Sequence, residues 1–244
     1  MTAAPTSAFS AFALEPFPML RPGDDLASAI TDVLTRTSTA LQTGDIVVVA
    51  SKIVSFAEKR YVDLTNITPT AEALELSAQT GKPAPVVQLI LDESVSHFVA
   101  GDRGPIIAQH RLGLQLTSAG VDRAGAEGAW LLPVDPDASA RALRDALITY
   151  TGADVAVVIA DSDGRADRRG ATAISIGAAG VAPLRITEHG DKRQEETLTD
   201  MIAAAAGIIL GQRGRGAPVA ILRGIAYEHS DAGVATMLHH APHS

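Results

Sequence analysis

Cysteine is absent from the 244 residues. That excludes disulfides, thiolate nucleophiles and cysteine-based zinc or iron–sulfur sites together, and it agrees with the cytoplasmic setting expected for the chain. Aromatic residues are scarce, at 4%, and Trp130 is the single tryptophan. The core therefore has to be assembled from Ala, Val, Leu and Ile. Basic residues are outnumbered, 20 Lys and Arg against 28 Asp and Glu, for a net charge of −8. A nucleic-acid binder needs a basic face, so no such partner is expected. An anionic small molecule is not excluded, because local charge can oppose global charge. No apolar run approaches the roughly 20 residues of a membrane span, so no membrane partner is expected either. The usual nucleotide and hydrolase signatures are missing as well: no G-x-x-x-x-G-K-[ST], no G-x-G-x-x-G after a strand, no G-x-S-x-G and no H-E-x-x-H.

Hydrophobic residues make up 46% of the chain, enough to fill a core. Residues 1–12 have no basic start of the kind a signal peptide needs and read as a loose tail. Residues 236–244, with a solvated His239-His240, read as another. Between them, residues 13–235 read as one domain, with a sub-lobe boundary expected near 81–85. Asp24-Asp25 opens a helix whose face carries Leu26, Ile30, Val33, Leu34 and Leu41. Ile46 to Ala50 is a continuous apolar run after a Gly44-Asp45 turn, the pattern of a buried strand. Helices are predicted over Thr70–Gly81, Pro85–Glu93, Ser139–Tyr150 and Thr199–Leu210. Strands are predicted over Val95–Ala100, Ile106–Gln109, Asp154–Ala160 and Pro218–Leu222. The elements alternate without a regular βαβ series, which favours an α+β fold over a doubly wound one.

Four segments hold chemistry-bearing residues. Asp161-Ser162-Asp163-Gly164-Arg165 follows the strongest strand, where α/β sheets often place ligands. Its carboxylates and hydroxyl suit a hard cation, and Arg165, Arg168 and Arg169 suit phosphate or carboxylate oxygens. The same residues also read as a solvated, self-capped turn. Ser118-Ala119-Gly120-Val121-Asp122 places small residues before an acid, as a close backbone approach to a ligand requires, or as any surface turn does. Ser51-Lys52-Ile53-Val54-Ser55 offers two hydroxyls and an ammonium just after a buried strand, either for phosphates or as a solvated strand end. Gly211-Gln212-Arg213-Gly214-Arg215-Gly216 is either an anion-wrapping loop or a plain helix stop.

Taken in order, these segments resemble one family. Arg21-Pro22-Gly23-Asp24-Asp25-Leu26, Gly44-Asp45, Ser51-Lys52 with Ser55, and Glu58 with Arg60 come first. Arg111-Leu112-Gly113-Leu114, Ala119-Gly120-Val121-Asp122 and the run Leu131 to Ser139 follow. Asp161-Ser162, Gly164-Arg165, Arg168 with Gly170, Asp200, Pro218 and Arg223-Gly224 close the set. Over about Pro16 to Gly224 the chain resembles the coenzyme F420-0:L-glutamate ligase family, in particular the N-terminal ligase domain of its bifunctional actinobacterial members.

The resemblance implies an intertwined homodimer of two-lobed α+β subunits with mixed and antiparallel sheets. It implies that the carboxylate of a deazaflavin precursor is activated by GTP as an acyl phosphate and captured by the amine of L-glutamate. It also implies Mg²⁺ or Mn²⁺ as cofactor, with stimulation by K⁺. Carried over by position, Asp122 and Asp161 hold one metal, and Ser162, where the family usually has Thr, holds a second with Gln212. Asp122, Asp161 and Arg165 are the expected catalytic set. Phe17, Pro18, Met19, Leu20, Ser51, Lys52, Ser55, Gly211, Arg213, Gly214 and Gly216 are expected to touch the nucleotide.

Some positions depart from the family pattern. Phe56 stands where a phosphate-binding lysine is usual, and Lys59, replacing a glycine, is a candidate to restore its charge. Ser118 and Gly125 replace Asn, Met201 replaces an acid, Asp167 replaces an aromatic, and the chain is shortened around Gly190 to Glu196. Three readings follow: a working glutamate ligase, a ligase with a changed acceptor or amine, and a catalytically inert relative that binds a ligand or a partner subunit.

Overall fold

The apolar run Ile46–Val49 is fully buried, and a strand apolar on every residue needs cover on both faces. The computed structural model, which describes residues 8–190, 192–211 and 216–239, supplies that cover with helices. The helices are α1 (Leu26–Arg36), α2 (Ser51–Ala57), α3 (Ala71–Thr80), α4 (Ala84–Asp92), α5 (Pro136–Thr151) and α6 (Leu198–Leu210), of which α3 and α4 pack away from this strand in a second cluster. The strands are β1 (Ser10–Ala13), β2 (Ile46–Ala50), β3 (Tyr61–Asp63), β4 (Ser94–Val99), β5 (Ile106–His110), β6 (Gln115–Thr117), β7 (Asp122–Ala124), β8 (Gly128–Trp130), β9 (Ala156–Gly164), β10 (Ala171–Ala179), β11 (Leu184–His189), β12 (Lys192–Thr197) and β13 (Val219–Arg223). The class is α+β with mixed and antiparallel sheets.

The central sheet has the order β1-β13-β2-β9-β10. Its β2–β9 pair is parallel, from Ile46 opposite Ala156 to Ala50 opposite Ala160, and its other pairs are antiparallel. Local signals set the helices around it. Asp25 caps α1 by accepting from the Ser28 amide at 3.1 Å. Asp135 caps α5 by accepting from Ala138 at 2.9 Å, Pro136 follows at the first helical position, and Gly152 closes the helix at φ 71°. The sixth helix lies close on β10, because a Cβ on Gly207 would meet the Ala173 methyl at 3.0 Å. Each Leu or Ile sealed in this core is worth roughly 1.5–3 kcal/mol relative to exposure.

A second hydrophobic cluster gathers Leu64, Val86, Val87, Ile90, Ile106 and Leu131 with smaller residues around them. It is served by the sheets β3-β8-β7 and β4-β5-β6. A charged knot ties it to the segment after α2. Glu93 Oε2 lies 3.0 Å from Arg111 Nη2, 3.3 Å from His110 Nε2 and 3.8 Å from Arg60 Nη2. Burial pushes the Glu93 carboxyl up, but the His110 ring and the two guanidiniums outweigh it and hold it below its ordinary value. The Leu112 amide donates to His110 Nδ1 at 2.9 Å, so the ring proton is left on Nε2, facing Glu93.

Several expectations need correction. Residues 10–12 are not loose: Ser10–Ala13 pair with β13, and Arg223 stacks over the Phe12 ring at 5.5 Å. The edge of β13 would otherwise leave its peptide groups unpaired. Residues 81–85 link α3 to α4, and Ala73 and Val86 on either side of them share the second cluster. The first helix stops at Arg36, and Leu41 reaches the core from the chain beyond it. The strand carrying Asp161 runs on to Gly164, because β10 keeps pairing with it after β2 has ended. The hairpin β11–β12, over residues 184–197, was not anticipated. Its strands are rich in charged side chains, so no apolar alternation marks it. In the second tail, Val234–Met237 forms a single 3₁₀ turn, and residues 240–244 lie outside the described residues.

Candidate active site

The parallel pair β2–β9 ends together at Ala50 and Ala160, and the next residues, Ser51 and Asp161, meet. Ser51 Oγ donates to Asp161 Oδ1 at 2.6 Å. One residue on, the Lys52 ammonium lies 2.8 Å from Asp122 Oδ2. These four residues come from three separate stretches of chain and line one cleft of ≈1280 Å³. Ser162, Thr117, Ser118 and Gly125 line it too, with Gly207, Ile208 and Gly211 from α6 and its cap, and Trp130 from β8.

Asp161 is the electrostatic focus. Burial pushes its pKa up to about 6. The Ser51 hydrogen bond opposes this, while the nearby carboxylates Asp163 and Asp122 add to it. Asp163 is itself raised by burial, against the Thr117 amide that donates to it at 2.7 Å. A partly buried carboxylate near two others is held short of positive charge, which a cation relieves.

The turn that delivers Asp122 is strained. Ser118, Ala119 and Gly120 are all left-handed, at φ 55°, 50° and 66°. The two non-glycine residues cost on the order of 1 kcal/mol each. Gly120 cannot be replaced cheaply, since a Cβ there would come within 2.7 Å of the Leu132 side chain.

The expected site residues separate into groups. Ser51, Lys52, Asp122, Asp161 and Ser162 converge on the cleft, as does Gly211. Ser55 lines it as well, with its hydroxyl directed to the Ser51 carbonyl at 3.1 Å, a bond within the helix. Phe17, Pro18, Met19 and Leu20 do not line it. Leu20 is buried in the main core with Phe17 packed against it, and Met19 is 95% exposed. Arg165 sits in the loop after β9 and lines a smaller depression with Asp163 and Thr117. Arg168 pairs with Asp167 at 2.8 Å on the same loop. Gly216 is exposed at φ 73°, while Gln212, Arg213 and Gly214 lie outside the described residues.

Phe56 does not face the cleft. Its ring packs on Trp130, centroids 4.1 Å apart, and Trp130 in turn meets Tyr61 edge-on at 5.2 Å. Lys59 does not restore a cleft charge either, because its side chain lies over Gly23. Two cations that sequence reasoning missed do line the cleft, Lys82 and Arg123. Neither belongs to a motif, and only the fold brings residues 82 and 123 to the same cleft.

Among the described residues, no group of three or more His, Asp or Glu side chains is arranged to hold a metal ion. Asp122 and Asp161 with the Ser51 and Ser162 hydroxyls nevertheless form an all-oxygen set. Such a set suits Mg²⁺ or Mn²⁺, which take one or two carboxylates and complete their shell with water or phosphate. The Lys52 ammonium already rests on Asp122 as a cation would.

Comparison with known proteins gives a consistent result. Residues 16–224 match the family model described as F420-0:gamma-glutamyl ligase. The chain is 36% identical to the coenzyme F420:L-glutamate ligase of Methanothermobacter thermautotrophicus, covering 94% of this chain and 95% of that protein. It is 38% identical to the enzyme of the same name from Methanopyrus kandleri, covering 88% of each. The corresponding Archaeoglobus fulgidus protein is 35% identical over 88% of this chain and 87% of its own length.

Proposed function

This chain belongs to the F420-0:gamma-glutamyl ligase family, and on that premise we propose that it is a ligase joining L-glutamate to a coenzyme F420 precursor through an amide bond, driven by GTP. The single observation that carries the reading is the meeting of Ser51–Asp161 with Lys52–Asp122 in one cleft.

A carboxylate resists attack by an amine because its oxygen is a poor leaving group. Transfer of a phosphoryl group from GTP gives an acyl phosphate. The amine then attacks the carbonyl carbon, phosphate departs with the C–O bonding pair, and the amide remains. The difficulty lies in bringing anions together, so the site must supply positive charge and fixed geometry. Lys52 supplies an ammonium at the end of β2. Ser51 fixes the orientation of Asp161. The strained turn before Asp122 holds that carboxylate on the cleft wall.

Asp122 and Asp161 would hold one Mg²⁺ or Mn²⁺ and Ser162, with Gln212 by family resemblance, a second, and these ions would supply positive charge to the phosphate oxygens. Stimulation by K⁺, a homodimeric state and a cytoplasmic location belong to the same reading by family resemblance.

The test is direct. The protein is incubated with L-glutamate, GTP, Mn²⁺ and the deazaflavin precursor, and the product is read by mass spectrometry. The expected product carries an added glutamyl group, and its formation stops when either GTP or the metal is withheld. GTP that binds calorimetrically without product would point to another acceptor or amine. No product and no heat from GTP with Mn²⁺ would overturn the reading in favour of an inert relative.

A further inference from the structure

Lys82 and Arg123 are an anomaly of charge. The chain carries a net −8, and several cations among the described residues are matched: Lys52 by Asp122, Arg60 and Arg111 by Glu93, Arg144 by Asp154, Arg223 by Asp45. Among the described residues, neither Lys82 nor Arg123 has a carboxylate within ion-pair distance. Both line the main cleft. Each lies in the field of the other, and burial, followed by that field, lowers the Lys82 pKa. Lys82 is half-buried and Arg123 exposed at the rim of the cleft, and a half-buried ammonium in the field of a second cation costs free energy unless an anion joins them.

Local structure holds them there. Gly81 ends α3 at φ 71°, Pro83 follows, and the Lys82 carbonyl accepts from Ser77 Oγ at 2.6 Å. The backbone of residue 82 is thus fixed while its side chain is left to the cleft. Arg123 follows Asp122 on β7, and its Nη2 reaches only the Gly125 carbonyl, at 3.4 Å. A lysine just past a helix C-terminus is favoured by the helix dipole, which would account for Lys82 alone. It does not account for a second cation without a carboxylate partner on the same cleft.

We propose that Lys82 and Arg123 form an oxyanion subsite, separate from the Asp122–Asp161 carboxylates, that grips a carboxylate or phosphate group of a small-molecule substrate. This rests on the ligase reading, under which three substrates carry such groups: glutamate, the acceptor and the nucleotide. A guanidinium offers a planar fork for a carboxylate or phosphate and the ammonium a point charge, so together they fix orientation as well as charge.

The experiment uses the full chain as Lys82→Met, Arg123→Gln and Lys82→Arg, with steady-state kinetics in each substrate separately. Each neutral variant is expected to raise KM for one and the same substrate about tenfold, the loss of one charge-assisted hydrogen bond. The other two KM values and kcat should stay within about twofold on that accounting, and Lys82→Arg should restore the affected value. The substrate affected identifies the source of the oxyanion. If both neutral variants leave all three KM values at wild type, the subsite is overturned while the ligase reading stands. If the wild type shows no turnover, that reading fails. The subsite is then judged by acylation of Lys82 in the wild type with inorganic phosphate or L-glutamate present, read by peptide mass spectrometry. Protection by either supports it, and equal labelling overturns it.

Discussion

The two ends of β2 place an aspartate under opposite conditions. At the amino end, Asp45 is 1% exposed and closed on every side. Arg223 donates to both its oxygens, at 2.8 and 2.7 Å, and the Gln42 amide adds a third bond at 2.8 Å. At the carboxyl end, Asp161 has the Ser51 hydroxyl at 2.6 Å and two further carboxylates near enough to raise its pKa. The first carboxylate is saturated and joins β13 to the turn before β2. The second is short of positive charge and opens on a cleft. Burial alone does not separate a structural acid from a chemical one; the number and charge of its partners does.

The largest test of that contrast is Asp161→Asn, which keeps the shape and removes the charge. Ligation should fall by roughly a thousandfold, as when a charge-stabilising group is lost from an active site, while the fold persists. Initial rates beside a circular dichroism spectrum check this. A clamp like Asp45 would instead show lost stability with specific activity retained. Next comes Asp45→Ala, which removes the carboxylate from between Arg223 and the Gln42 amide. Urea unfolding should show a loss of about 1.5–3 kcal/mol, the worth of hydrogen bonds to a charged group, with kcat per folded molecule unchanged.

A third effect is a pH dependence in metal-free protein. The folded pKa of Asp161, about 6, lies above its unfolded value of 3.8. Between those two values the folded state holds the proton and the unfolded state does not, so stability falls as pH rises through this window. Above about pH 6 the cost is complete. There Asp161→Asn should be more stable than wild type by on the order of 2 kcal/mol, a gain that vanishes below about pH 4. Urea curves at pH 4 and pH 7.5 measure it. The smallest effect is that of Ser51→Ala, which removes a hydrogen bond worth about 1 kcal/mol to the ionised carboxylate. The Asp161 pKa should climb further, as followed by carboxyl-carbon NMR titration; an unchanged value would show that the hydroxyl does not tune it.

The elements legible in the sequence were those with local signals. The cap at Asp25, the Gly211 stop and the apolar run of β2 each carry a local signal, whereas α5 begins at Pro136, ahead of the expected Ser139, because Asp135 caps it. The illegible ones depend on distant partners. Ser10–Ala13 becomes a strand because β13 offers an edge, and residues 161–164 stay extended because β10 accompanies them. The candidate site divides in the same way. Ser51, Lys52, Asp122 and Asp161 stood out because each follows or precedes a recognisable strand or turn, whereas Lys82 sits in a helix linker that resembles any other.

The sequence by itself determined the family, the α+β class, most helices, and the residue types available for chemistry. These rest on local periodicity, turn residues and motif order, all of which are written along the chain. Only the tertiary structure decided that Phe56 packs on Trp130 rather than facing the cleft, that Asp45 is sealed while Asp161 is left short of positive charge, and that Lys82 and Arg123 line one cleft. The reason is that a side chain's charge state and use depend on what lies across from it, and Ser51 and Asp161, 110 positions apart in the chain, are brought opposite one another by packing alone.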